Sequence, residues 1–488
     1  MSRRTPEPVR ADWLLDAPVF QAWRAFVESD TAPFTIPGHK RRAAALDPWL
    51  QRLLDADVPL YGGVDTVKLS GGVLEHGERL GAELWGADWC RYSTGGSTHA
   101  NQALILALGQ PGDTVVVSRS AHRSTVLGLV LAGLRPAWIP VETDSAHAVP
   151  VGTSPAVLDE VLAEHTDAMA VLCVEPSYLG TTSDVAGLVA VAHGRGVPIV
   201  VDQAWGAHFG FSDGYPPHAL AAGADAMVVS AHKTLPAFSQ ASVVAASTER
   251  LDGDRLERAF DAAHTSSPAG AILASIDASR ALLAHPMGGE LLAELAASAA
   301  RLRTALGRAG LFTLSPDHFP RGRFDPAKLV VTAAPSGHSG LELEAALQRR
   351  GIPVEMADRD TVVPQLSLLD DSTSLGRLEN ALAEAARTST TQPRAARVAA
   401  QWSHDAPQLL TPREAFFAAH EVVRRDDAEG RVSAELVAPY PPGVPILVPG
   451  EQITAGSLAA LTHAVASGAR IAYAADATLR TLQVVATP

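Results

Sequence analysis

The sequence predicts an α/β protein: a large domain on a mainly parallel sheet, then a small α+β domain and a C-terminal α+β domain. Three observations predict it. Short β-branched runs recur in the first half of the chain: TVVVS (114–118), PAWIPV (136–141), AMAVLCV (168–174), PIVVD (198–202) and AMVVS (226–230). Continuous apolar runs suit strands buried on both faces, as in a parallel sheet covered by helices. Helical segments separate the runs, and Gly133, Gly196 and Gly223 each stand just before one, where helix C-caps are expected. Finally, 488 residues with 47% hydrophobic and 19% charged side chains suffice for two to four domains and exclude a disordered chain or a coiled coil.

Taken in order, residues 1–60 form an N-terminal segment, with an amphipathic helix over 13–29 feeding the loop TIPGHK (35–40). Residues 61–285 form the large domain, entered through a glycine-rich, loop-like stretch from Tyr61 to Gly77. A long Ala/Leu/Arg-rich helix over 276–306 leads into the small domain, 286–390. There KLVVTAA precedes the helix LELEAALQRRG, and IPVEMA and TVVPQLSLL precede a helix ending near Arg387. The stretch TSTTQPRAARV (388–398) reads as a linker into residues 391–488, which hold one helix, TPREAFFAAHEVVRR, and the proline-rich segment PYPPGVPILVPGE (439–451).

Composition narrows the function classes. No apolar run approaches the length that spans a bilayer, and MSRRTPEPVRADW lacks a signal-peptide core, so no membrane is expected. A net charge of −14 disfavours nucleic acid as a partner. Two cysteines and no H-x-x-x-H spacing support neither a disulfide framework nor a metal site, so the expectation is no metal and a reducing, cytoplasmic location. Only four of the 39 basic residues are lysine: Lys40, Lys68, Lys233 and Lys328. Arginine replaces lysine as a surface charge but not as a nucleophilic amine, so each lysine is a candidate for chemistry.

Lys233 has the strongest case. It lies in SAHKTL, directly after AMVVS and 31 residues beyond Asp202, the last residue of PIVVD. That separation is one strand–helix–strand unit, which puts both at the carboxyl edge of the sheet, where ligands bind in parallel α/β folds. The glycine-rich turn TGGSTHA (94–100) opens a helical run, with Ser97 and Thr98 at N-cap positions, and free N–H groups at such a terminus favour a phosphate. A plain capped turn accounts for this signal equally well, and Asp202 also reads as an N-cap. His122, after TVVVS, reaches the same edge and supplies an aromatic face. A phosphate cradle, a carboxylate, an amine and a stacking ring together fit pyridoxal 5'-phosphate. Lys68 and Lys328 have no case beyond rarity.

These segments carry a resemblance. TIPGHK (35–40), GGSTHANQA (95–103), RSAHRST (119–125), EPSYLGTTSDV (175–185), VDQAWGAHFGF (201–211), SAHKTLPAFSQAS (230–242), TSSPAGAILASIDASR (265–280) and GRVSAELVAPYPPGVPILVPGEQI (430–453) resemble the prokaryotic ornithine/lysine/arginine decarboxylases. The matches cover most of the chain. The resemblance implies a fold type I pyridoxal-phosphate enzyme with a seven-stranded, mainly parallel sheet, in a short form without an N-terminal wing domain. It implies that Lys233 carries the cofactor as an internal aldimine, that Asp202 binds the pyridine nitrogen and that His122 stacks on the ring. Gly96, Ser97, Thr98, Ala204, Ser230 and His232 would surround the cofactor or the lysine. Ser267, in the loop Thr265–Pro268, would reach the neighbouring subunit's phosphate, so a homodimer (or tetramer) is implied.

The implied reaction is α-decarboxylation of a basic L-amino acid, with His232 or Lys233 returning a proton to the α-carbon. His39, Glu355, Asp358 and Glu451 are the substrate candidates, the three acids for a distal cation, though each also reads as a solvated loop carboxylate. Gln203, Arg123, Arg41-Arg42 and Gly71-Gly72-Val73-Leu74 depart from the family pattern. An aminotransferase or another lyase acting on a basic amino acid is the alternative activity, and a non-catalytic binding protein is the alternative class.

Overall fold

The computed structural model describes residues 12–58, 72–387, 392–397, 406–440 and 443–486. Nine strands lie in the large domain: β1 (Trp89–Ser93), β2 (Thr114–Ser118), β3 (Arg135–Ile139), β4 (Glu142–Asp144), β5 (Val149–Gly152), β6 (Val171–Val174), β7 (Ile199–Asp202), β8 (Ala226–Val229) and β9 (Ser242–Ala246). Seven make one sheet in the order β1-β9-β8-β7-β6-β2-β3, while β4 and β5 pair as a separate hairpin. The five strands from β8 to β3 run parallel, and β9 is antiparallel to both its neighbours. Both faces are covered. Val116, Ile199 and Val201 point into one core cluster, and Val115, Val117 and Val200 into another, so successive residues feed opposite layers.

All five expected runs are strands. The sequence reading missed β1 and β9. Arg91 interrupts β1 and is neutralised by Glu257 at 2.6 Å. β9 returns after the single-turn helix Ala231–Thr234, too short a connection for a parallel crossover, and therefore enters the sheet antiparallel. Gly133 ends its helix at φ +73°, which satisfies the cap requirement.

Four expectations on helices need correction. The helix of 276–306 is two helices, Gly270–Ala284 and Pro286–Arg308, because Pro286 cannot donate to the preceding turn. The stretch to Gly77 is not all loop, since a helix spans Val73–Trp85; residues 61–71, including Lys68 and Gly71, lie outside the described residues. The C-terminal helix stops at Phe417, and AHEVVRR turns into a strand, β14 below. A second helix, Ala455–Ala466, accompanies it. The adjacent β-branched Val422 and Val423 suit a strand once a partner exists, and that partner lies about sixty residues away.

Beyond the large domain, β10 (Phe312–Thr313), β11 (Val331–Thr332), β12 (Met356–Ala357) and β13 (Thr361–Val363) form an antiparallel sheet backed by the helices Gly340–Gln348 and Ser372–Ala386. In the C-terminal part, β14 (His420–Arg424), β15 (Ala438–Tyr440), β16 (Arg470–Ala472) and β17 (Thr481–Val485) form two ribbons, β14 with β17 and β15 with β16. This part docks on the large domain near the β2 end. The Trp138 indole N–H donates to Gln408 at 3.0 Å, Arg413 donates to the carbonyls of Val130 and Leu131, and the Arg123 guanidinium lies 3.9 Å from the Tyr473 ring centroid.

Candidate active site

The carboxyl ends of four adjacent parallel strands open into one cleft. Ser120 and His122 follow β2, Pro176 and Tyr178 follow β6, Asp202, Ala204 and Trp205 close β7, and Lys233 follows β8. Ser97 lines it from the helix Gly96–Leu108 and Val444 from the C-terminal part. The sheet thus gathers residues distant in sequence, as expected at this edge.

Asp202 is buried. Its carboxylate accepts from the Asn101 amide at 2.7 Å and from the Ala204 N–H at 3.1 Å. Burial raises its pKa, opposed by the Lys233 charge and these two bonds. Burial also lowers the Lys233 pKa, against the pull of Asp202 and Glu355. The Lys233 Nζ lies 4.3 Å from the Trp205 ring centroid, a cation–π contact inside the cleft.

His122 caps the helix Arg123–Ala132: its Nδ1 accepts from the Ser124 N–H at 3.2 Å, which places the ring proton on Nε2. Burial, with Lys233 and Arg123 nearby, lowers its pKa to about 4. The ring is therefore neutral at pH 7. A chain of bonds ties it to Asp202: Nδ1 lies 2.9 Å from the Ser124 Oγ, which accepts from the Asn101 amide at 3.2 Å, the same amide that holds Asp202. Asn101 was missed, although GGSTHANQA contains it.

The phosphate end is less filled. The N-cap of the helix Gly96–Leu108 is Gly95, so Ser97 and Thr98 stand in the first turn, not at the cap as expected. That correction leaves their N–H groups among the helix's free donors. Ser97 lines the cleft, Thr98 is exposed, and the Gly96 N–H donates to Gln240 O at 2.9 Å. The Ser230 Oγ is fully buried and has no hydrogen-bond partner. An orphaned hydroxyl three residues before Lys233 fits a phosphate oxygen that completes it. With a carboxylate, an amine and a neutral aromatic face in one cleft, the residues fit pyridoxal phosphate.

The remaining candidates divide. Glu355 does not itself line the cleft; its Oε1 accepts at 2.8 Å from the hydroxyl of Tyr178, which does, and its charge acts on Lys233 and His232. His232 Nδ1 lies 2.8 Å from Ala241 O; only a protonated nitrogen can bond a carbonyl, so Nε2 is the acceptor in the neutral ring. Asp358 is held in a turn by the N–H groups of Asp360 and Thr361, with burial raising its pKa to about 6. Glu451 is fully buried against Arg119 at 3.2 Å and accepts from the Val448 N–H, so it fastens the C-terminal part to the end of β2 instead of facing the cleft. His39 pairs with Asp57 at 3.1 Å and does not line the cleft of its own chain. Ser267 lies in an exposed loop, within 3.4 Å of the Thr265 hydroxyl, also outside it.

Two of the departures make bonds of their own. Gln203 is buried with its amide bonded at both ends, to Gly206 O and the Ala219 N–H. Arg41 donates to Asp55 O. Trp205 and Tyr178 were missed as site residues. Their signal was position, three residues beyond Asp202 and four beyond β6.

Comparison with known proteins places this arrangement. The family model "Orn/Lys/Arg decarboxylase, major domain" matches residues 17–319, and "Orn/Lys/Arg decarboxylase, C-terminal domain" matches residues 396–468. An uncharacterized Bacillus subtilis protein, YaaO, is 30% identical over 92% of this chain and 94% of its own. The arginine decarboxylases of Bacillus subtilis and Halalkalibacterium halodurans are 29% and 30% identical, each over 96% of this chain and over 98% and 97% of their own. Among solved structures, the Francisella novicida lysine decarboxylase LdcF superposes with a TM-score of 0.82 at 18% identity, covering 96% of this chain and 81% of that one. Lysine decarboxylase A of Pseudomonas aeruginosa gives 0.81 at 19%, covering 97% and 81%. At such identities the superpositions speak for the fold.

Proposed function

The chain belongs to the Orn/Lys/Arg decarboxylase family, and from that premise we propose that it decarboxylates a basic L-amino acid using pyridoxal phosphate held at Lys233. The observation that carries the cofactor is the meeting of Lys233, Asp202 and His122 in one cleft, with an unpartnered hydroxyl on Ser230, three residues before Lys233. Bound there, the cofactor supplies an electron sink for the pair released as CO2 leaves.

The chain's own residues do the rest. Lys233 would hold the cofactor through its amine, whose pKa burial lowers toward the nucleophilic form. Asp202, fixed by Asn101 and the Ala204 N–H, holds the pyridine nitrogen. His122 offers a neutral face on which the ring would stack, and Ser97, with Gly96, Thr98 and Ser230, would hold the phosphate. The proton for the α-carbon comes from the Lys233 Nζ, because His232 Nε2 is an acceptor and burial disfavours the charged ring that would make it a donor. Glu355, oriented by Tyr178, receives the distal cation of the substrate. The active unit is a homodimer in the cytoplasm, with the Thr265–Pro268 loop reaching its neighbour's site.

The test is CO2 release from a panel of arginine, lysine and ornithine. Release from at least one, lost in Lys233→Ala together with the visible absorbance of the loaded protein, is expected. Keto-acid formation without CO2 would replace this activity by transamination.

A further inference from the structure

Behind the cleft wall lies a second lysine, to which the proposed function gives no role. Lys328 is in the small domain, three residues before β11, and only 4% exposed. Its Nζ lies 4.2 Å from the Trp205 ring centroid and 5.3 Å from that of Tyr178, and it donates to Gln365 Oε1 at 3.1 Å. Trp205 therefore contacts two lysine nitrogens, because the Lys233 Nζ lies 4.3 Å from the same ring. Lys328 does not line the cleft; the two rings stand between it and the reacting space. Tyr178 meets Trp205 edge-on at 4.8 Å and passes a hydrogen bond to Glu355.

We propose that Lys328 is a positioning residue for the reaction at Lys233: its ammonium clamps the Trp205–Tyr178 wall against Lys233 and sets a second positive charge behind that wall. This inference rests on the reading of Lys233 as the cofactor lysine. The charged groups around Lys328 are Asp325, itself paired with His208 at 3.1 Å, and Glu355, both favouring its charge, with Lys233 opposing it. Around Lys233 stand Asp202, Glu355, His122 and His232. Burial brings the Lys328 pKa down to about 8, so it is charged at pH 7. A like charge disfavours protonation nearby. Arginine would keep the charge in a chain that elsewhere prefers it, but its planar fork is a poor match for a site enclosed by two rings and one amide oxygen.

The test compares the pH titration of the visible band in cofactor-loaded wild type, Lys328→Met, Lys328→Gln and Lys328→Arg. Removing the charge should raise the midpoint by about half a unit or more, with Arg restoring most of the shift. The Gln variant keeps a donor for Gln365 and guards against loss of the fold. A merely structural role leaves all midpoints coincident, and that result overturns the inference. Absence of a visible band in wild type overturns the cofactor reading first, and this inference with it.

Discussion

Two regions build the cleft on different principles. The floor is the carboxyl edge of β2, β6, β7 and β8, where Asp202 and the loops bearing His122 and Lys233 are fixed by parallel pairing and two buried faces. The wall and mouth draw on residues from elsewhere: Val444 of the C-terminal part lines them, and Glu355 and Lys328 of the small domain contact the lining residues Tyr178 and Trp205. The floor carries groups any pyridoxal-phosphate reaction needs. Under the proposed function the mouth would carry the group that chooses the substrate, so one can vary while the other is kept.

Substitutions can separate the two. The largest effect belongs to the floor: Lys233→Ala should lower kcat by about 10³-fold or more and abolish the visible band, measured by CO2 release and absorbance. Next is Glu451→Gln, which leaves Arg119 buried without its charge partner. It should cost about 3 kcal/mol of stability, read by denaturant unfolding, with KM unchanged. A raised KM would return Glu451 to the substrate site. Glu355→Gln tests the mouth and should raise KM for the basic substrate about tenfold with kcat nearly kept.

The smallest effect is His122→Phe, which keeps a stacking face but loses the helix cap, costing about 1 kcal/mol near neutral pH. Because the folded pKa of His122, about 4, lies below its unfolded value, the unfolded chain binds more protons between roughly pH 6.5 and 4, and wild type loses stability as pH falls through that window. The variant carries no such penalty. The difference in Tm between the two should therefore shrink on acidification, and a constant difference would contradict a buried, neutral His122.

The same division decided what the sequence revealed. The floor was legible because β-branched runs mark the strands and the spacing of Asp202 and Lys233 follows from one crossover. β9 was not, since an antiparallel return leaves no crossover helix to announce it. Glu355 was read only as one of three acids, because nothing local in VEMADRD distinguishes a carboxylate facing Tyr178 from one, Asp358, spent on its own turn. Lys328 was passed over for the same reason. Its meaning comes from rings supplied more than a hundred residues earlier.

The docking of the C-terminal part has a consequence for the order of synthesis. Gly443, at φ +89°, comes so close to His122 that an added Cβ would lie 3.9 Å from the imidazole. Its neighbour Val444 closes the cleft, and the body that carries them is stitched by β14 pairing with β17 at Thr481–Val485. On the ribosome, the sheet from β1 to β9 can form once about half the chain has emerged, since domains fold as units from the N-terminal side. The roof of the cleft cannot settle until residues near 485 are free to pair with 420–424. A nascent chain therefore exposes its lysine-bearing floor for the time it takes to translate about 240 further residues.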